Sequence, residues 1–223
     1  PVKVSAGLTG ANDSPDVALD GQGRATAVWR RYDAGYSLWA SSWDRTTPWD
    51  AGSWTPPVEI GVWDAGVTGF IGTPRVTATL SGAVTAFWRQ AVSTDATFVL
   101  SNRLLAPPST WSGVVRVDAH DGGHPWNPSG AQVLDDTAFA AWPGPLGAGT
   151  ATFVAARRGG SWQPPTQLST ESTSINWVSV STNAGGQAVV AWEQWDGGAY
   201  SLLATGSNDV GAWKAPTLIA IPL

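Results

Sequence analysis

One pattern constrains this chain more than any other: a short apolar strand ending in tryptophan occurs four times. The copies are Ala25 to Trp29, Val84 to Trp88, Ala138 to Trp142 and Ala188 to Trp192, at intervals of 59, 54 and 50 residues. A second series begins with tryptophan: Trp54 to Ile60, Trp111 to Val117, Trp162 to Leu168 and Trp213 to Ile219. Pro15, Pro74 and Pro128 each stand fourteen residues before their repeat's first tryptophan, and Val178 takes that place in the fourth. Matched self-similarity at about fifty residues means stacked copies of one supersecondary unit.

Each unit reads as four strands. An opening strand such as Asp16 to Leu19 leads to a tight turn carrying Gly23, Gly82 or Gly186 six residues before the tryptophan, with Asp136 in the other copy. These residue types accept the positive φ of a short hairpin. The tryptophan strand follows, then a loop rich in Asp and Gly, then a third strand such as Tyr36 to Ala40. A closing strand that contains proline in three copies suits an outer edge. No helical period of useful length intervenes.

Alternation places Ala25, Ala27 and Trp29 on one face of the second strand and Thr26 and Val28 on the other. Both faces are small or apolar in every copy, so this strand must be covered on both sides. A radial array of sheets does that. The expected fold is all-β: a β-propeller of four-stranded antiparallel blades, forming one domain over residues 1–223 with repeats near 15–60, 74–117, 128–168 and 178–219. Pro1 to Val4 aligns with Pro57 to Ile60, which predicts an extra N-terminal outer strand.

Composition narrows the function. Charged residues are 13% and net charge is −5, which leaves no electrostatic footprint for nucleic acid. No apolar run is long enough for a membrane-spanning helix. There is no Cys, so disulfides, thiolate metal sites and Cys nucleophiles are excluded. The absence of Met, a start at Pro1 and 15 tryptophans in a low-charge chain suit a secreted or cell-surface protein.

Loops leading into the opening strands, and those after the tryptophan strands, share one face in such an array. They carry Trp63, Phe70, Trp126, Asn127, Asn176 and Trp177 in the first set, and Arg31, Gln90, Gln194 and Trp195 in the second. Arg31, Gln90 and Gln194 each lie two residues beyond a repeat tryptophan, a recurrent hydrogen-bonding position. Rings beside amide and charged groups suit sugars, whose apolar faces stack while their hydroxyls take directed bonds. Asp118, His120, Asp121 and His124 fall close enough to hold a metal ion, although Asp-Gly-Gly within them is also an ordinary turn. Asp20, Asp64, Asp121, Asp135, Asp136, Glu171, Glu193 and Asp196 are carboxylates that no motif pairs. No cofactor motif, nucleophile elbow or phosphate-binding loop occurs.

The Gly-x-Ala-x-Ala-x-Trp strand followed by Trp-x-x-Pro resembles the repeats of exported bacterial β-propeller proteins over nearly the whole chain. A looser similarity links it to propeller lectins that bind fucose-type sugars with an Arg, a Glu and an aromatic in most blades. Arg30 or Arg31 with Tyr32, and Glu193 with Trp195, are fragments of that set, and Pro143 to Pro145 in the third repeat carries none of it. The resemblance implies a non-catalytic, lectin-like module that binds glycan. The alternative is a structural or adhesion module that pairs with another extracellular protein or with itself as a homo-oligomer. A polysaccharide-acting enzyme is the third reading.

Overall fold

The computed structural model describes residues 3–45, 54–61, 69–91, 93, 96–105, 110–119, 124–134, 137–195, 197–209 and 212–220. They form four antiparallel sheets, one per repeat. The first holds β1 (Ala11–Leu19), β2 (Ala25–Tyr32), β3 (Tyr36–Trp43) and β4 (Val58–Gly61). The second holds β5 (Arg75–Ala78), β6 (Val84–Ala91), β7 (Thr97–Leu104) and β8 (Val115–Arg116). The third holds β9 (Ser129–Leu134), β10 (Thr137–Leu146), β11 (Gly149–Arg158), β12 (Ser161–Trp162) and β13 (Thr166–Gln167). The fourth holds β14 (Ser174–Thr182), β15 (Ala188–Trp195), β16 (Tyr200–Asp209), β17 (Ala212–Trp213) and β18 (Thr217–Ala220).

The closing strand is divided wherever its register is seen. In the third and fourth sheets it pairs at the tryptophan (β12, β17) and again beyond the prolines (β13, β18). Proline has no amide to give the ladder, so the strand breaks around it and resumes. The first sheet repeats this with a single bridge at Trp54 ahead of β4, and the second, which has no proline there, breaks at Gly113 (φ 101°) between its bridge at Trp111 and β8. Sheets of four to five strands therefore replace the uniform four-stranded unit.

The expected N-terminal outer strand is corrected. Pro1 and Val2 lie outside the described residues, Lys3 and Val4 lie outside any strand, and the outermost place of the fourth sheet is filled by that repeat's own β17 and β18.

The hairpin turns show the repeat at its sharpest. Gly23, Gly82 and Gly186 have φ of 76°, 103° and 82°. Asp20, Thr79 and Asn183, each nine residues before a repeat tryptophan, fold their side chains over the turn amides. Asp20, one of the scattered carboxylates, is thus a turn cap.

The sheets stand side by side in sequence order, with β1 packed on β5, β5 on β9 and β9 on β14. Three apolar seams join them. Val28, Leu38 and Ala40 meet Val76, Ala86 and Trp88; Phe87 and Val99 meet Ala140 and Trp142; Phe139, Ala141 and Val154 meet Val180, Val190 and Trp192. Each repeat tryptophan after the first points back onto the preceding sheet. Among the described residues the first and fourth sheets have no comparable seam between them. Val17 and Leu19 on the first are 59% and 67% exposed, and Val189 on the fourth is 52% exposed. The arrangement is propeller-like, but it is an arc and not a closed ring.

Candidate functional site

The innermost strands and the loops before them, with β15 and β16 of the fourth sheet, line an open cleft of about 860 Å3. Trp126, Asn127, Asn176 and Trp177 all line it. Trp126 and Trp177 are 54% and 70% exposed, which is unusual for side chains of this size and leaves ring surface open to a ligand. The Trp126 amide donates to Pro143 O at 2.9 Å, fixing its loop to β10. Asn127 passes so close to Gly72 that a Cβ there would lie 2.1 Å from its Oδ1. Ser174 Oγ donates to Asn176 Oδ1 at 3.1 Å.

Three charged residues share the cleft: Asp16, Arg75 and Glu193. Asp16 Oδ2 accepts the Val76 amide at 2.9 Å. Glu193 is half-buried, and among the described residues its carboxyl has no hydrogen-bonding or ionic partner. It stands in β15 opposite Leu202, another cleft residue.

The other expected site residues lie elsewhere. Phe70 belongs to a ladder beside the cleft, where Tyr36 meets it edge-on at 5.5 Å. The Arg30 and Arg89 guanidinium groups each lie 5.1 Å from its ring centre. Arg89 also sits 5.6 Å from the Trp126 ring, and burial pushes its pKa down. Gln90 is 5% exposed, and its Oε1 accepts the Trp88 indole N–H at 2.9 Å. Gln194 does the same for Trp192 at 3.2 Å. It also borders a smaller hollow of about 380 Å3 with Ser169 and Pro216. The shared position two residues beyond the tryptophan thus anchors indoles in these two repeats. Arg31 donates to Thr9 O at 2.7 Å and pairs with Asp33, and Trp195 packs against Tyr200 at 5.0 Å.

Asp118 is buried and bonded to Arg116 Nε at 3.0 Å; burial pushes its carboxyl up, against the pull of Arg116. His124 Nδ1 lies 3.0 Å from Thr97 Oγ1. Among the described residues no three metal-ligating side chains converge. Glu171 Oε1 accepts the Ala148 amide at 2.8 Å, holding a turn. Trp63, Asp64, His120, Asp121, Asp135, Asp136 and Asp196 lie outside the described residues. Arg75 and Asp16 escaped the sequence reading because both come from strands and not loops. Their common signal is a place thirteen residues before a repeat tryptophan.

No helix in the described residues is long and apolar enough to cross a membrane. No protein-family model matches the sequence, and no curated protein matches it. Solved structures do share the fold. One is a protein of unknown function from Dyadobacter fermentans, 12% identical with a TM-score of 0.63, matched over 94% of this chain and 69% of that one. The NanB sialidase from Streptococcus pneumoniae is 8% identical with a TM-score of 0.58, over 98% of this chain and 53% of that one. The α-L-arabinofuranosidase from Lactobacillus brevis is 11% identical with a TM-score of 0.56, over 91% and 71%. The chain therefore spans about half of the sialidase and about 70% of the other two. These neighbours correct the expectation of a non-catalytic lectin-like or adhesion module. The fold is propeller-like, and its similar structures of named activity are carbohydrate-acting enzymes.

Proposed function

We propose that this chain forms the sugar-binding and catalytic cleft of an exported polysaccharide-acting enzyme. One observation carries the reading: the unpartnered Glu193 carboxyl opens onto the same cleft as the exposed Trp126 and Trp177 rings and the Asp16 carboxyl. Stacked rings hold sugar faces while Asn127 and Asn176 bond hydroxyls. Cleavage of a glycosidic linkage needs a proton donor and a carboxylate that stabilises charge or activates water. Glu193, whose carboxyl has no partner among the described residues, is assigned the role of proton donor to the leaving oxygen. Asp16 keeps one oxygen beyond its bond to Val76 and supplies the second carboxylate.

The test is turnover of a panel of neutral and acidic polysaccharides, followed by release of reducing ends. Glu193→Gln and Asp16→Asn should each lower turnover about 10²- to 10⁴-fold, with thermal melting of Glu193→Gln unchanged. Full activity in both variants, or no turnover of any polysaccharide by the parent chain, would defeat the proposal.

A further inference from the structure

Thirteen residues before the four repeat tryptophans stand Asp16, Arg75, Ser129 and Ser179. In two copies this position braces the next sheet. Asp16 Oδ2 accepts the Val76 amide at 2.9 Å, and Ser129 Oγ accepts the Val180 amide at 3.1 Å. These are the same bond, made each time to the residue just after the matching position of the next repeat. Arg75 cannot make it, because a guanidinium group carries donors only. The seam between the second and third sheets is held by other means. Phe87 presses against Gly130, and Thr85 Oγ1 donates to Gln132 Oε1 at 2.9 Å.

Arg75 is thereby released from the structural duty of its position. It is exposed, and among the described residues its guanidinium has no hydrogen-bonding or ionic partner. It lies on the cleft wall with Trp126, Asn127, Asn176 and Trp177. A free guanidinium beside stacking rings and amides offers a planar fork of donors, which matches a carboxylate or sulfate two bonds at a time.

We infer that Arg75 anchors an anionic substituent, a carboxylate or a sulfate, on the sugar chain in the cleft, so that the substrate is an acidic polysaccharide. This rests on the cleft being the sugar site and adds the charge of what it takes. The cation on the second sheet and the free Glu193 on the fourth are on different walls. A chain held at one acidic ring by Arg75 can then present another part to Glu193.

Calorimetric titration of the full chain tests this with three probes: oligogalacturonate, its methyl ester, and a sulfated galactan oligosaccharide. One of the two anionic probes should bind, and which one does tells carboxylate from sulfate. Arg75→Met should weaken that binding about tenfold or more. Arg75→Lys should fall between, since it keeps the charge without the fork. Melting temperature should not move in either variant, and the weak binding of the ester should be the same with and without Arg75. Equal binding of the anionic probes by Arg75→Met, equal binding of acid and ester by the parent, or no binding of either anionic probe would each overturn the inference. A neutral polysaccharide that is turned over through Glu193 and unaffected by Arg75→Met would sink this anchor while leaving the enzyme reading intact.

Discussion

Asp20 and Asp118 are both buried carboxyls, and their surroundings drive them in opposite directions. Burial alone would raise Asp20, but the amides of Arg24 and Gln22 and the Arg24 guanidinium outweigh it and hold its pKa low. At Asp118 burial prevails over the Arg116 pairing and the pKa is raised. A lowered value gives stability that is present above the unfolded pKa, about 3.9, and lost as pH falls through the folded one. A raised value works the other way, costing stability as pH climbs from the unfolded pKa through the folded one. Asp118→Asn should therefore gain on the parent between pH 4 and pH 7: its melting temperature relative to the parent should be higher at pH 7. A difference that does not change with pH would show that the carboxyl carries no such cost. Neither role could be read from the residue alone. Asp20 becomes legible only beside Thr79 and Asn183, its counterparts in other repeats.

At the scale of the strand, the tightest fit is Gly130 in β9. A Cβ there would come within 2.4 Å of the Phe87 ring, which is fully buried and has nowhere to move. Gly130→Ala should cost about 1–3 kcal/mol of unfolding free energy through overpacking. Gly185→Ala is the control, since its nearest neighbour would be the Asn183 side chain at 3.4 Å; it should stay within about 0.5 kcal/mol. Denaturant titration of both variants decides, and equal costs would count against a rigid seam. The strands themselves were legible because Ala-x-Ala-x-Trp shows apolar character on both faces. The N-terminal strand was misread for a physical reason: Pro1 to Val4 has the local pattern of an edge strand, but local pattern cannot tell whether an edge is vacant. The proline breaks in β12–β13 and β17–β18 were legible in principle, since Pro164 and Pro216 lack the amides that continuity needs.

The whole molecule is an arc whose two ends differ from its seams. Val189 holds in the fourth repeat the place of Phe139 in the third, three residues before the tryptophan. Phe139 is sealed in the next seam, whereas Val189 is half open to solvent. Val189→Lys should change stability by no more than about 0.5 kcal/mol, while Phe139→Lys should abolish cooperative unfolding by burying an unpaired charge. A loss of several kcal/mol in Val189→Lys would mean that something covers this end in solution. Trp126 and Asn127 were legible because they stand on a loop feeding an inner strand, whereas Asn176 and Trp177, read as loop residues, lie in β14 at a break in its register. Arg75 was not legible, and Glu193 stood only as one carboxylate among eight, since only three dimensions show which charged side chains lack partners. The contrast among the indoles has an optical consequence. Trp88, Trp142 and Trp192 are sealed in dry seams, while Trp126 and Trp177 stand in water at the cleft. Core indoles emit toward the blue and are hidden from quenchers such as iodide; wet ones emit toward the red and are open to them. Iodide quenching that a cleft ligand relieves thus reports on Trp126 and Trp177, against a background of half-buried indoles such as Trp39, Trp111 and Trp195.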